Sequence, residues 1–132
     1  MTALQIIAAI ERDLYTVISE SIVSERVIIT DERVEHIRQR HPGDWEHYSA
    51  YLSETITDPD FILRDDHPDT AICVRQVVTG GEIRFLRTTL RLQAGKEIKE
   101  RENSVLTFQK INRKEYGRLS RSKKVVYKRS EP

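Results

Sequence analysis

Four histidines, a set of strand arginines and two strand hydroxyls are the residues of this 132-residue chain whose types suit proton transfer or phosphate chemistry. The histidines stand at positions 36, 41, 47 and 67, at intervals of five, six and twenty. Those intervals fit no zinc-ligand pattern, and the single cysteine, Cys73, cannot complete one, so no metal and no cofactor is expected. His41 stands apart. It follows Arg40 and precedes Pro42, which presents its imidazole at the end of a helix. With an ordinary pKa near ~6.5 it could give or take a proton. The plainer reading is a cation favouring a helix C-terminus, worth under about 1 kcal/mol when exposed. His36 lies on the same helix about 140° around from His41, so the two do not converge. Asp65, Asp66 and His67 precede Pro68 in a stretch that a turn explains.

Arg75 interrupts an apolar strand, on the face of Cys73 and Val77 and opposite Ile72, Val74 and Val78. Arg84, Arg87 and Arg91 add three guanidinium groups on the next strand, and planar forks suit phosphate oxygens. They could equally lie along a solvated face or pair with acidic helices. Thr107 sits between Leu106 and Phe108, so alternation places it on the opposite face, beside Val105 and Gln109. Its hydroxyl, or that of Ser104, could hold a phosphate oxygen, although threonine is also simply a good strand former. Tyr127 and Lys128 set an aromatic beside a cation, a pair that can stack a base or merely pack. A phosphate-binding glycine loop, HExxH and GxSxG are all absent from the sequence.

These residues need elements to position them. Ala3, Ile7, Ile10, Leu14 and Val17/Ile18 make one helical stripe over residues 3–18, with Ser19–Ser24 as a link. Residues 1–25 thus read as an amphipathic helix and linker, and 26–132 as the main domain. Arg26–Thr30 reads as a strand, and Thr30 or Asp31 caps a helix that Pro42 and Gly43 end. A second helix runs from near Asp44 to Asp58-Pro59. Phe61–Leu63, Thr70–Val78, Glu82–Gln93, Ser104–Ile111 and Val125–Lys128 read as strands, with Gly80-Gly81 turning a hairpin. Ala94–Glu102 reads as polar and hairpin-like, and Asn112–Ser120 as a short basic helix. Helices first and an antiparallel sheet after them make an α+β layout.

The net charge of +1 conceals an asymmetry. Residues 1–69 hold 15 acidic and 6 basic side chains, whereas residues 70–132 hold 16 basic and 6 acidic. From Lys110 to Arg129 there are nine cations against Glu115 alone. Such a distribution suits an anionic partner or a solvated charged face. The apolar N-terminal run is too short for a membrane span and lacks a signal peptide's basic start, so the chain reads as cytoplasmic, without a membrane partner. Cys73, within an apolar run, reads as a small buried hydrophobe.

Several stretches together resemble a known family. Ile29-Thr30-Asp31-Glu32-Arg33 with Arg40-His41-Pro42, then Thr57-Asp58-Pro59-Asp60-Phe61-Ile62-Leu63, then Asn103-Ser104-Val105-Leu106-Thr107-Phe108, then Tyr127-Lys128, look like the phage and mobile-element nucleases of the barnase–EndoU–colicin–RelE group. The resemblance covers about residues 26–129. It implies N-terminal helices packed on a mostly antiparallel sheet of about four strands, and metal-independent RNA cleavage of the toxin type. Carried over, it implies catalytic roles for Arg40 and His41, for Arg75 or Arg87, and for Thr107 or Ser104. Arg84, Ser104, Lys110, Tyr127 and Lys128 are then candidate RNA contacts. The implied partners are RNA, tRNA among its forms, and an immunity or antitoxin protein; a second copy could dock on the N-terminal helix. A non-catalytic RNA-binding or adaptor domain of the same fold, and a protein-interaction domain, are the alternative readings.

Overall fold

The structure, a computed structural model, describes residues 4–20, 22, 24–93 and 102–130. Strand β1 (Leu4–Ala9) and one helical turn, α1 (Arg12–Tyr15), lead into β2 (Arg26–Thr30). Helices α2 (Asp31–Arg40), α3 (Asp44–Tyr48) and α4 (Leu52–Thr57) follow, with a 3-10 turn at Ser49–Tyr51 joining the last two. Then come β3 (Phe61–Arg64), β4 (Thr70–Thr79), β5 (Glu82–Arg91), β6 (Asn103–Ile111), α5 (Arg113–Ser120) and β7 (Val125–Lys128). The strands form one seven-stranded sheet in the order β1-β2-β6-β5-β4-β3-β7. Every neighbouring pair is antiparallel except β2 and β6, which run parallel.

The α+β class holds, but a sheet of about four strands behind N-terminal helices does not. The expected helix over residues 3–18 is instead β1, paired from Leu4↔Thr30 to Ala9↔Arg26 with an irregularity between Ile6 and Ala8, and then the single turn α1. The reason is physical. A short apolar run reads equally well at either period, and β2 offers it an open edge whose backbone groups need partners. Ile10 and Ile18, expected on a stripe that docks a second copy, are buried in the domain's own core. Residues 94–101, most of the stretch read as hairpin-like, lie outside the described residues.

Elsewhere the local chemistry acts as its residue types suggest. Thr30 is the N-cap of α2, its hydroxyl accepting the Arg33 N–H at 3.1 Å. Asn112 caps α5 in the same way, accepting from Glu115 at 2.8 Å. The β4–β5 hairpin turns through Gly80 and Gly81 at φ of +59° and +77°, which glycine adopts without strain.

Two cores flank the sheet. On one face α2 and α4 press Val34, Ile37, Leu52 and Ile56 onto Val27, Ile29, Cys73, Leu86, Leu90, Val105 and Phe108. Each such aliphatic contributes about 1.5–3 kcal/mol by leaving water. Trp45 of α3 meets Phe108 edge-on at 6.4 Å. Tyr15 is fully buried there, its hydroxyl donating to the Ile56 carbonyl at 2.5 Å and lying 3.1 Å from Cys73 Sγ. On the other face α5 lays Leu119 against the patch of Phe61, Leu63, Ile72 and Val74. Among the described residues no helix is long and apolar enough to cross a membrane.

Candidate active site

Register decides which candidate residues can meet. Along the β4–β5 hairpin, Cys73↔Thr88, Arg75↔Leu86 and Val77↔Arg84 alternate with Ile72↔Thr89, Val74↔Arg87 and Gln76↔Phe85. The first set faces α2–α4 and the second faces α5. Arg75, Arg84, Lys110 and Tyr127 therefore belong to the helix-covered face, where Arg40 and His41 end α2. Arg87, Thr107, Ser104 and Lys128 belong to the other face. The sheet stands between the two groups and does not bring Arg87 and Thr107 to His41.

On the helix-covered side the arginines already have partners. Arg75, only 14% exposed, pairs with Glu54 at 2.9 Å and with Asp58 at 3.2 Å, tying the end of α4 to β4. Arg84 is held by Glu82 and by the Tyr48 phenol. Half-buried His41 closes α2, its N–H donating to the Ile37 carbonyl at 2.8 Å, and Arg40 beside it is exposed. Lys110 gives its backbone N–H to Asp44 Oδ2 at 2.9 Å. Tyr127 packs into the core, opposite Ile62.

The face that carries α5 is only partly covered. Tyr116 packs tilted against Phe85 and edge-on against Phe61, with ring centroids 4.4 and 5.3 Å away, and the Arg113 guanidinium lies 5.1 Å over Phe85. Beyond the helix, Arg87, Thr89, Thr107 and Gln109 form a half-buried polar patch on β5 and β6. An irregularity helps to assemble it. The register shifts between Thr89 and Leu90, so that Thr89 faces Thr107 while Leu90 faces Val105, and Leu106 is the extra residue. Val105 consequently turns into the core and Ser104 turns to the side of Thr107. The expected grouping of Thr107 with Val105 is thereby corrected, and both hydroxyls share one face. The Thr107 carbonyl, displaced from a regular ladder, accepts from Thr88 Oγ1 at 2.7 Å.

Arg87 is the cation of this patch, and its Nε is buried without a hydrogen-bond partner among the described residues. Two carboxylates feel its charge, Asp65 from the β3–β4 turn and Glu115 from α5. Burial would raise the Asp65 carboxyl. The His67 backbone N–H at 2.9 Å, the His67 ring Nδ1 at 2.8 Å and the Arg87 charge outweigh it and hold the group below its ordinary value. Hydrogen bonds from Arg118 lower Glu115, against a smaller effect of burial, with the Arg87 charge adding to them. The His67 ring is 86% exposed. With the Nδ1 proton on the Asp65 side, Nε2 is the lone-pair nitrogen. By sequence alone, a turn accounts for His67. The signal available was the Asp-x-His spacing of Asp65 and His67, since an aspartate that turns the chain two residues on can meet the side chain there.

A groove of about 770 Å³ opens at the far end of α5, lined by Asp60, Gln76, Tyr116, Lys128 and Arg129. Asp60 accepts from the Tyr116 hydroxyl at 2.8 Å and from the Gln76 N–H at 2.7 Å. Burial and that carboxylate push the Tyr116 phenol well above its ordinary value. Among the described residues no three His, Cys, Asp or Glu side chains lie close enough together to hold one metal ion.

A mixed sheet packed by α2–α4 on one face and only partly covered by α5 on the other defines an α+β domain with an arginine, hydroxyls and an aspartate–histidine pair on the α5 side. The chain belongs to the phage-Barnase-EndoU-ColicinE5/D-RelE like nuclease 2 family, which it matches over residues 4–128. It is a nuclease-type domain of the group it resembled in sequence, and the match takes in β1 as well. Neither a curated protein nor a solved structure matches the chain.

Proposed function

We propose that this domain is an endoribonuclease that works without a metal, by attack of a ribose 2′-OH on the adjacent phosphate at the open sheet face. The observation that carries the reading is Arg87, whose buried Nε has no hydrogen-bond partner among the described residues and whose charge is felt by Asp65 of the Asp65–His67 pair. Asp65, kept ionised, holds the His67 ring with Nδ1–H towards itself. Nε2 takes the proton of the 2′-OH. Arg87 neutralises charge growing on the phosphorane oxygens, and the Thr107 and Ser104 hydroxyls hold a phosphate oxygen. The 5′-oxygen departs at the solvent-exposed rim and takes its proton from water. The products are a 2′,3′-cyclic phosphate and a 5′-hydroxyl. Exposed Lys114 and Arg118 at α5 draw the RNA backbone towards the site.

The test is cleavage of total RNA and tRNA in EDTA by wild type, His67→Ala, Arg87→Ala and His41→Ala, each checked by circular dichroism. His67→Ala and Arg87→Ala should each lower the rate about 10²–10⁴-fold, with His41→Ala close to wild type. The opposite pattern moves the site to the end of α2. Salt-sensitive RNA binding by a wild type that yields no product replaces the enzyme with a non-catalytic RNA-binding domain.

A further inference from the structure

We propose that the free edge of β7 takes up an extended acidic segment of a partner protein as an eighth strand. β7 ends the sheet, and among the described residues it pairs only with β3. Next to Lys128 the phase of that pairing is set by the Arg129 N–H, which donates to the Asp60 carbonyl at 2.8 Å; the bond from the Arg64 N–H to the Lys124 carbonyl at 2.9 Å lies beyond the irregularity between Ile62 and Leu63. Antiparallel ladders alternate bonded and non-bonded pairs, so Lys128, opposite Phe61, turns its N–H and C=O away from β3. Those groups are what an added strand uses.

The surroundings of the edge select the occupant. A trough of about 480 Å³ follows it from Ser120 to Lys128, with half-buried Val125, Val126 and Tyr127 along it. Lysine on an edge strand commonly serves only to keep other strands away. A lined trough beside the strand is not required for that. Lys124 and Arg129 are engaged, with Asp66 and with Asp58 and Asp60. Arg121, Lys123 and Lys128 also line the trough and make no ion pair among the described residues. An extended segment with Asp or Glu at alternate positions satisfies both the main-chain groups and these cations. A second copy that pairs β7 to β7 brings like charges together. RNA has no backbone N–H for the Lys128 carbonyl, and Tyr127, the aromatic here, packs towards the core.

The experiment uses the full chain and two fluorescein-labelled probes, an eight-residue peptide alternating Glu and Val and an octauridylate, followed by anisotropy at low salt. The peptide should bind wild type, and Lys128→Pro should weaken it about tenfold, because proline deletes an outward N–H and leaves the β3 ladder whole. Arg121→Glu with Lys123→Glu should abolish peptide binding. Amide hydrogen exchange on wild type gives a readout independent of any variant: the peptide should slow exchange at Lys128. The proposal is overturned by no peptide binding to wild type, by equal binding to Lys128→Pro, or by exchange at Lys128 that the peptide leaves unchanged. It is also overturned if octauridylate displaces the peptide and binds more tightly, which makes the trough a nucleic-acid tract. Because binding is read and not cleavage, the outcome is separable from that of the nuclease assay.

Discussion

Replacing Asn103 by alanine deletes one fully buried side chain that satisfies three backbone groups at once. Its amide nitrogen donates to the Ser24 carbonyl at 2.7 Å and to the Arg26 carbonyl at 2.9 Å, and its oxygen accepts from the Gln93 N–H at 2.9 Å. These bonds tie β2, the end of β5 and the start of β6 together, one residue before Ser104. A buried group left without its partner costs about 1–3 kcal/mol. Ser24 is half-buried and Arg26 exposed, so water reaches part of this region and the lower end of that range applies. The expected loss is about 3 kcal/mol for the three groups, a fall in Tm of roughly 10 °C for a domain of this size. Asn103→Asp should be worse than alanine by about 1 kcal/mol, since it sets a carboxylate against two carbonyl oxygens. The assay is urea unfolding at pH 7 followed by far-UV circular dichroism, where the alanine variant should shift the midpoint by about 1.5 M for an ordinary m-value. An alanine loss under about 1 kcal/mol, or an aspartate variant more stable than alanine, refutes the reasoning.

Arg75→Ala leaves half-exposed Glu54 without its cation and Asp58 with Arg129 alone, and should cost about 1 kcal/mol in the same assay, with Arg75→Lys recovering only part of it. RNA cleavage by Arg75→Ala, measured where it is still folded, should match wild type. The Asp65 carboxyl is lowered in the fold, so its ionised form contributes stability above the unfolded pKa of about 4, and that contribution is lost as pH falls through the lower folded value. Asp65→Asn should therefore be less stable than wild type near pH 7, with the difference shrinking as pH falls through the lowered folded value; unfolding midpoints from neutral to acid pH check it. Burial pushes the fully buried Cys73 thiol up to about 12, so Ellman's reagent should modify it only as fast as the protein unfolds.

Where structure depends on a few adjacent residues, the sequence announced it. Thr30 as a helix cap, Gly80-Gly81 as a hairpin and Pro59 as a stop are local chemistry, and alternation alone placed Arg75 beside Cys73 and Val77. The N-terminal strand was not legible in this way, because Leu4–Ala9 takes its conformation from β2, a partner about twenty residues away. The patch around Arg87 was hidden for a similar reason. No residue type marks the extra Leu106, yet that residue decides that Ser104 and Thr107 share a face. His67 owes its place to what a turn aspartate touches, and Glu54 and Asp58, the partners of Arg75, lie 21 and 17 residues away in sequence.

The single parallel junction has a consequence for the order of assembly. Among the described residues β2 meets β6 through Val27↔Asn103 and Ile28↔Ser104 alone, and the Asn103 bond to Arg26 spans 77 residues of chain. Closing a loop of that length costs roughly 4 kcal/mol of chain entropy before any contact repays it. The antiparallel run from β3 to β6 lies nearer in sequence and closes more cheaply. The β1–β2 ribbon should thus arrive late in folding and depart early in unfolding. In kinetic terms the molecule is a self-sufficient meander with a detachable margin, and the side-chain amide of Asn103 is the clasp.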